Sequence, residues 1–328
     1  MIPMKALYFD GRLAVREVDT PQPGAGEALI QVMLAGICGT DREILKGYSG
    51  FRGILGHEFV GRVVESAEKK WLGKRVVGEI NVSCGACDFC LWGRGRHCPT
   101  RTVMGIVNRD GAFAEYVVLP VINLHEVPKS IPDEAAVFVE PLAAAAEILE
   151  QMKILPGTHV AVLGDGCLGL LVAQVLHHAQ ARVTLIGKHR AKLDLARSWG
   201  ITAACRGDAG PPAHSFNVVV EATGSPRALD EAFRLVEPRG TLVMKSTFHQ
   251  PAQFDTAQLV VNEVTLMGSR CGNFPPALDL LRRGHVKVRP LISKTFPLEA
   301  GAEALNYSET STRLKILLAP AGKVIVPG

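Results

Sequence analysis

The sequence has no long uninterrupted apolar run. Its longest apolar stretches, near residues 135–149 and 159–176, are broken by Glu140 and Asp165, so neither reads as a membrane span. The opening MIPMKALYFDGRLAV has no apolar h-region, which excludes a secretory signal. A dominant charge is also missing. The 36 Lys and Arg against 32 Asp and Glu leave a net charge of +4, too little to argue for nucleic acid or an acidic membrane as a partner. There is no internal repeat and no low-complexity segment. What remains is the composition of a soluble globular protein, 47% hydrophobic and 21% charged. A chain of 328 residues exceeds one ordinary core and predicts two domains. Without an export signal, the eight cysteines read as thiols and metal ligands of a cytoplasmic protein rather than as disulfides.

Four of those cysteines crowd into CGACDFCLWGRGRHC, at Cys84, Cys87, Cys90 and Cys98. The spacing is C-x2-C-x2-C-x7-C, without the repeated C-x2-C pair of a zinc ribbon. Four thiolates this close satisfy one tetrahedral Zn2+ and leave no position open, which is the chemistry of a structural site.

Along the chain the texture changes once. Up to about residue 130 it is rich in Gly, Pro and short β-type runs, at 28–33, 59–65, 75–80 and 114–119, which predicts an irregular, mostly β domain. From Asp133, placed to cap a helix running through 141–152, strands and helices alternate. Strands are expected at 159–163, 182–186, 217–221 and 241–245, with helices at 170–178 and 226–236. That alternation implies a doubly wound parallel sheet, so the fold class is α/β plus β. A last strand is expected at 314–318.

The strand at 159–163 runs into Gly164-Asp165-Gly166-Cys167-Leu168-Gly169, a G-x-G-x-x-G between strand and helix. In that context it is a dinucleotide signature. The first Gly allows the tight turn, the second lets backbone approach a pyrophosphate, and the third lets helix pack on strand. The helix start then faces the phosphate charge. An NAD site usually carries an acid at the end of the second strand, where it binds the ribose 2′-OH. Here that strand ends Gly187-Lys188-His189-Arg190, with no acid and three potentially cationic residues. The composition suits a 2′-phosphate, and NADP(H) is expected in preference to NAD(H).

Three further runs are Gly36-Ile37-Cys38-Gly39-Thr40-Asp41, Gly56-His57-Glu58 and Val139-Glu140-Pro141-Leu142. With the cysteine lobe and the glycine motif, they resemble the zinc-dependent medium-chain dehydrogenase/reductase superfamily. The polyol, sugar and threonine dehydrogenase branch is most similar, and CGTDREI resembles its glucose dehydrogenases. The resemblance covers essentially the whole chain. It implies a GroES-like catalytic domain over 1–142, completed by 275–328, and a Rossmann domain over 143–274. It implies two zinc ions per chain, the structural one and a catalytic one held by Cys38 and His57. Glu58 and Glu140 complete the second site, one directly and one through water or in only some states. Asp41 orients the His57 ring. Thr40 accepts the alcohol proton. Glu43 stands where many relatives have a relay His, and is either a terminal base or a surface partner for a cation. Thr223, Ser269 and Arg270 lie near the nicotinamide; Arg270 contacts substrate or forms an edge salt bridge. Lys315 takes the place of a cation that neutralises the pyrophosphate. The resemblance thus implies hydride transfer between a secondary alcohol of a polyol, sugar or related metabolite and NADP(H), in an interdomain cleft of a homodimer or homotetramer. The competing readings are a zinc-free quinone or enoyl reductase and a non-catalytic member of the same fold.

Overall fold

Valine, isoleucine and leucine recur along the first third of the chain, and residues that pack well on a pleated surface form strands there. The computed structural model describes residues 3–208, 210–247, 251–310 and 312–320. The chain divides into two compact units. One takes in residues up to Glu140, with Ala277–Arg282 and the segment from Val288 onward; the other is Pro141–Pro276 with Arg283–Lys287.

In the first unit, Pro3–Phe9 (β1), Leu13–Asp19 (β2) and Gly53–Ile54 (β4) make a three-stranded sheet ordered β2-β1-β4. The larger sheet is built from Glu27–Ile37 (β3), Glu58–Ser66 (β5), Arg75–Gly78 (β6), Leu124–Glu126 (β10), Ile292–Pro297 (β17) and Lys315–Ala319 (β18). Its order is β10-β6-β5-β3-β18-β17, and Tyr116–Pro120 (β9) also pairs with β3. Asn81–Val82 (β7) and Thr102–Val103 (β8) form a small separate ladder. Strand β3 is the centre. Its far end aligns Gly36 with Glu58 of β5 on one side and with Leu317 of β18 on the other. Late sequence is therefore hydrogen-bonded to early sequence within one core. Helices Gly39–Leu45 (α1), Asp88–Leu91 (α2), Asp133–Ala136 (α3) and Gly301–Ser308 (α10) belong to this unit.

The expectation that Asp133 caps a helix through 141–152 is corrected. Asp133 lies in the first turn of the short α3, whose cap is Pro132, and a separate helix spans Val139–Gln151 (α4). The Asp133 carboxylate instead accepts from Arg75 Nη1 at 3.0 Å, while Arg75 Nη2 donates to the carbonyls of Pro128 and Ile131. One guanidinium thus pins the chain leading into α3 and α4.

The second unit contains His159–Leu163 (β11), Arg182–Gly187 (β12), Thr202–Cys205 (β13), Phe216–Glu221 (β14), Val236–Met244 (β15) and Thr265–Gly268 (β16). They form one parallel sheet ordered β13-β12-β11-β14-β15-β16. Cys167–His178 (α5), Arg190–Ser198 (α6), Ala228–Leu235 (α7) and Thr256–Val261 (α8) connect successive strands; Phe274–Arg282 (α9) follows. Val160, Val162, Val219 and Val220 are fully buried, as a sheet covered on both faces requires. Helix α5 is buried from Gly169 to Leu176, so it reads as apolar all round. It begins three residues earlier than the sequence suggests, inside the glycine motif. Counted from β11 the strand order is 3-2-1-4-5-6, and it reverses between β11 and β14, the place where open α/β sheets bind ligands. Among the described residues no helix is long and apolar enough to cross a membrane.

Replacing Arg75 with Met leaves Asp133 and two carbonyls without their charged donor. Unfolding free energy should fall by about 2–3 kcal/mol in urea titration. An unchanged midpoint would show that the 128–133 segment is held by packing alone.

Candidate metal centres and dinucleotide site

The cysteine lobe is closed by tight turns at Gly85 and Gly93, with φ of +74° and +73°. Around it Cys87 and Cys90 sulfurs are 3.5 Å apart, Cys84 and Cys98 3.6 Å, Cys87 and Cys98 3.7 Å, and Cys84 and Cys90 3.9 Å. A disulfide needs about 2.05 Å. Four sulfurs at about 2.3 Å from a central Zn2+ form a tetrahedron with edges of about 3.8 Å. Four of the six edges are close to that length and all four sulfurs lie within 4.8 Å of one another, so the donors fit a tetrahedral ion with no coordination position left over.

The second cluster is assembled on three elements. Cys38 directly follows β3 and is the N-cap residue of α1. His57 follows Gly56, whose φ of +97° and near contact with Phe113, 2.3 Å from where a Cβ would lie, exclude a larger residue there. Glu58 opens β5. The ligand atoms of Cys38, His57 and Glu58 all lie within 4.8 Å of one another. His57 and Glu58 are buried, and so is Asp41 behind them. Asp41 Oδ2 accepts the Cys38 amide at 2.7 Å. Its Oδ1 is 3.2 Å from His57 Nδ1, a charge contact outside hydrogen-bond alignment. Asp41 thereby fixes the cysteine backbone and lies beside the imidazole, the place of a carboxylate behind a metal-binding His.

Glu58 reaches across β3. A Cβ at Gly36 would lie 2.3 Å from Glu58 Oε2, so only glycine leaves room for the carboxylate. On the far side of the strand Lys315 Nζ pairs with Oε2 and donates to Ile37 O at 3.3 Å. Glu58 Oε1 is buried with no hydrogen-bond partner. Burial would lower the His57 pKa, but the Asp41 carboxylate and Cys38 sulfur raise it well above the ordinary imidazole value. The field that favours a proton there favours a cation equally. With Cys38 as thiolate, the cluster and Asp41 carry three negative charges against one positive on Lys315, and a divalent ion closes the balance.

The glycine motif shows three separate geometries. Gly164 has φ +114°, and a Cβ would meet Ala222 O at 2.5 Å, so β11 and β14 part tightly around it. Gly166, the N-cap residue of α5, has nothing within 4 Å of a Cβ position; its bare side is open space. At Gly169 a Cβ would meet Gly164 O at 1.9 Å, so only glycine lets α5 pack on the turn. No side chain caps α5. An open cradle at an uncapped helix start, carried on the reversal point of the sheet, fits a pyrophosphate.

Comparisons with known proteins agree with this geometry. Residues 24–129 match the alcohol dehydrogenase GroES-like domain, and residues 167–283 match the zinc-binding dehydrogenase family. A zinc-binding dehydrogenase from Sinorhizobium meliloti 1021, solved bound to NADP, is 31% identical over 98% of this chain and 100% of its own, with a TM-score of 0.88. The chain belongs to the zinc-dependent medium-chain dehydrogenase/reductase superfamily. It is also similar to the short chain alcohol dehydrogenase rspB of Escherichia coli CFT073, solved with NADH (30% identity, 97% and 99% covered, TM-score 0.88). Sorbitol dehydrogenase of Halalkalibacterium halodurans is 29% identical over 97% of this chain and 98% of its own.

Other expected positions in this dehydrogenase fall differently. Glu140 is half-buried in the first turn of α4 and lies outside the metal-sized cluster, so of the two carboxylates Glu58 is the one beside Cys38 and His57. Lys315 was expected at the pyrophosphate. It is instead buried in the sheet of the first unit with its ammonium paired to Glu58, because β18 runs beside β3 and Lys315 lies two residues before the Leu317 that aligns with Gly36. Glu43 pairs with Lys46 at 3.0 Å at the surface, the second of its two expected roles. The Thr40 hydroxyl is 3.9 Å from the Cys38 sulfur. Thr223 lies just past β14, its hydroxyl donating to Glu221 Oε1 at 2.6 Å. Ser269 is buried and Arg270 exposed. Cys167 and Leu168 form the first turn of α5.

Two buried lysines escaped the sequence reading. Lys245 Nζ donates to Ala144 O at 2.6 Å, Arg270 O at 2.9 Å and Ser269 Oγ at 3.0 Å, tying the 269–270 segment to α4. Lys192 is buried on α6. The first had a signal, a lysine ending the apolar run Thr241-Leu242-Val243-Met244 at the edge of a parallel sheet; the second had none.

Lys315→Met would leave Glu58 a buried charge without its ammonium. Stability of the metal-free protein should fall by about 3–5 kcal/mol, read from denaturant midpoints. A loss below about 1 kcal/mol, the range of exposed pairs, would show that the ion pair carries no weight.

Proposed function

We propose that this chain is a zinc-dependent oxidoreductase that moves hydride between a secondary alcohol and a nicotinamide dinucleotide. The alcohol belongs to a polyol, sugar or related hydroxylated metabolite. The observation that carries this reading is a buried three-ligand cluster, Cys38, His57 and Glu58, beside a separate four-cysteine lobe. Three protein ligands leave a tetrahedral ion one position for substrate, whereas four thiolates leave none. A quinone or enoyl reductase without catalytic zinc has no use for the first cluster.

Bound zinc supplies Lewis acidity toward an alcohol or carbonyl oxygen, and the nicotinamide takes or gives the hydride. The chain's own residues do the rest. Asp41 fixes the His57 ring, and Lys315 holds one Glu58 oxygen so that the other is directed to the cluster. The Thr40 hydroxyl, 3.9 Å from the Cys38 sulfur, is the group we assign to take the alcohol proton. The surface pairing of Glu43 with Lys46 supports the role of a surface partner rather than that of terminal base. Gly166 and the start of α5 seat the pyrophosphate. The relatives support either nucleotide, since one was solved with NADP and another with NADH. Four unpaired thiols in one lobe suit the reducing cytoplasm. The outer edge of β16, with exposed Leu266 and exposed Val260 and Val261 on α8, supports a homodimer or homotetramer formed there.

Metal analysis of the purified chain should give about two zinc equivalents, and an alcohol and polyol oxidation screen should find a substrate. His57→Ala should lose about one equivalent and roughly a thousandfold or more in kcat/KM, the several kcal/mol a Lewis acid contributes. Cys84→Ser should lower Tm before it alters the chemical step. One zinc in the parent protein, with full activity, would favour the reductase reading.

Glu43→Gln should leave the pH–rate profile within about twofold of the parent at every pH, since an exposed ion pair contributes little. Loss of the basic limb or a shift of its midpoint would return Glu43 to the proton path.

A further inference from the structure

The end of β12 is where dinucleotide folds read the adenosine ribose, usually with an acid on that strand. This chain has Gly187 there, and the cationic run behind it suits a 2′-phosphate by composition. The structure shows why the strand has no acid. A Cβ on Gly187 would lie 2.5 Å from both Cβ and Oδ2 of Asp165 and 2.6 Å from its Cγ. The space an acid at 187 would use is filled by an acid from the glycine turn.

Asp165 is buried, and its carboxylate is bound by the strand end. Oδ2 accepts from the amides of Lys188 and His189, both at 2.7 Å. His189 Nδ1 is 3.0 Å from each carboxylate oxygen. Burial would raise the Asp165 pKa, but the His189 and Lys188 contacts outweigh it and hold the group below the usual carboxylate range, so it is charged at neutral pH. Lys192, buried on α6, lies within its electrostatic reach. Of the three side chains that composition offered to a 2′-phosphate, the His189 imidazole is thus already held by an internal anion, together with the amides of Lys188 and His189. Arg190 is exposed and faces Asp208 at 3.7 Å, and Lys188 is exposed, so water screens both.

We propose that Asp165 is the ribose-reading carboxylate of this chain, moved from the second strand to the glycine turn, and that it selects NAD(H) over NADP(H). A ribose 2′-hydroxyl can donate to this carboxylate. A 2′-phosphate brings about two negative charges against it and finds its amide donors taken. The preference for NADP(H) suggested by Lys188-His189-Arg190 is therefore reversed. The inference rests on the nicotinamide-dinucleotide reading of the same site and adds its specificity.

Fluorescence titration of the zinc-loaded protein with NADH and NADPH tests it without turnover. The parent should bind NADH at least tenfold more tightly. Asp165→Asn, which removes the charge and keeps an acceptor oxygen, should narrow the ratio about tenfold or more, chiefly by tighter NADPH binding. The swap Asp165→Gly with Gly187→Asp should restore the NADH preference, because the acid returns to the strand. Equal or tighter NADPH binding by the parent overturns the proposal. So does an Asp165→Asn variant that weakens both cofactors equally, which marks Asp165 as structural only. A parent that binds neither cofactor overturns the dinucleotide reading itself, a result separate from the loss of selectivity.

Discussion

A carboxylate with no access to water has to be neutralised inside the protein, and Glu58 is such a group. Removing a charge from water costs several kcal/mol per ion unless geometry and added hydrogen bonds repay it. The sheet of the first unit is arranged to do so. Glycine at 36 opens a passage over β3, β5 brings Glu58 to one side, and β18 brings Lys315 to the other. The same placement sets the cluster, since Cys38 is two residues beyond Gly36 and His57 precedes Glu58. A single strand register thus decides where the ion pair, the thiol and the imidazole meet. A one-residue slip would send Glu58 to the opposite face of the sheet.

The two metal-sized clusters differ in their surroundings. The cysteine lobe is local: its donors come from fifteen consecutive residues and its backbone from tight turns. The Cys38 cluster is non-local and is supported by charged groups, Asp41 and Lys315, whereas the lobe has the Thr100 hydroxyl 3.5 Å from the Cys98 sulfur. Asp165 follows the same logic in the second unit. It is a buried acid held by the groups it organises, and it fixes the turn between β12 and α6. In each unit a buried carboxylate thus holds backbone beside a candidate site, Asp41 at the Cys38 amide and Asp165 at the amides of Lys188 and His189.

What was legible in the sequence is what is encoded by short spacing. The cysteine lobe, the glycine turn, the parallel strands and the Gly56-His57-Glu58 run all show as local patterns, and their elements lie where those patterns fall. Helix ends were less legible. Asp133 looked like a cap because cap and first-turn positions favour the same acid, and only the guanidinium of Arg75 decides between them. What pairs across long separations was not legible. The resemblance put Lys315 near the pyrophosphate, but its partner is set by β18 lying next to β3. Composition shows the cationic run Lys188-His189-Arg190, but it does not show that a carboxylate folds back from residue 165 onto the amides of Lys188 and His189. Composition counts charges, and their meaning depends on which are already engaged.

The pairing of Glu58 with Lys315 spans 257 residues. During synthesis at about 5–20 residues per second, the carboxylate emerges on the order of tens of seconds before its ammonium. The continuous stretch Pro141–Pro276, which holds nearly all of the second unit, is complete within that interval. The nascent protein therefore finishes its nucleotide-type sheet while the larger sheet of the first unit still lacks β18. Loop closure over such a separation adds only a slowly growing entropic cost, so the delay is one of time more than of free energy. Among the described residues, the last strand to be made is the one that neutralises Glu58.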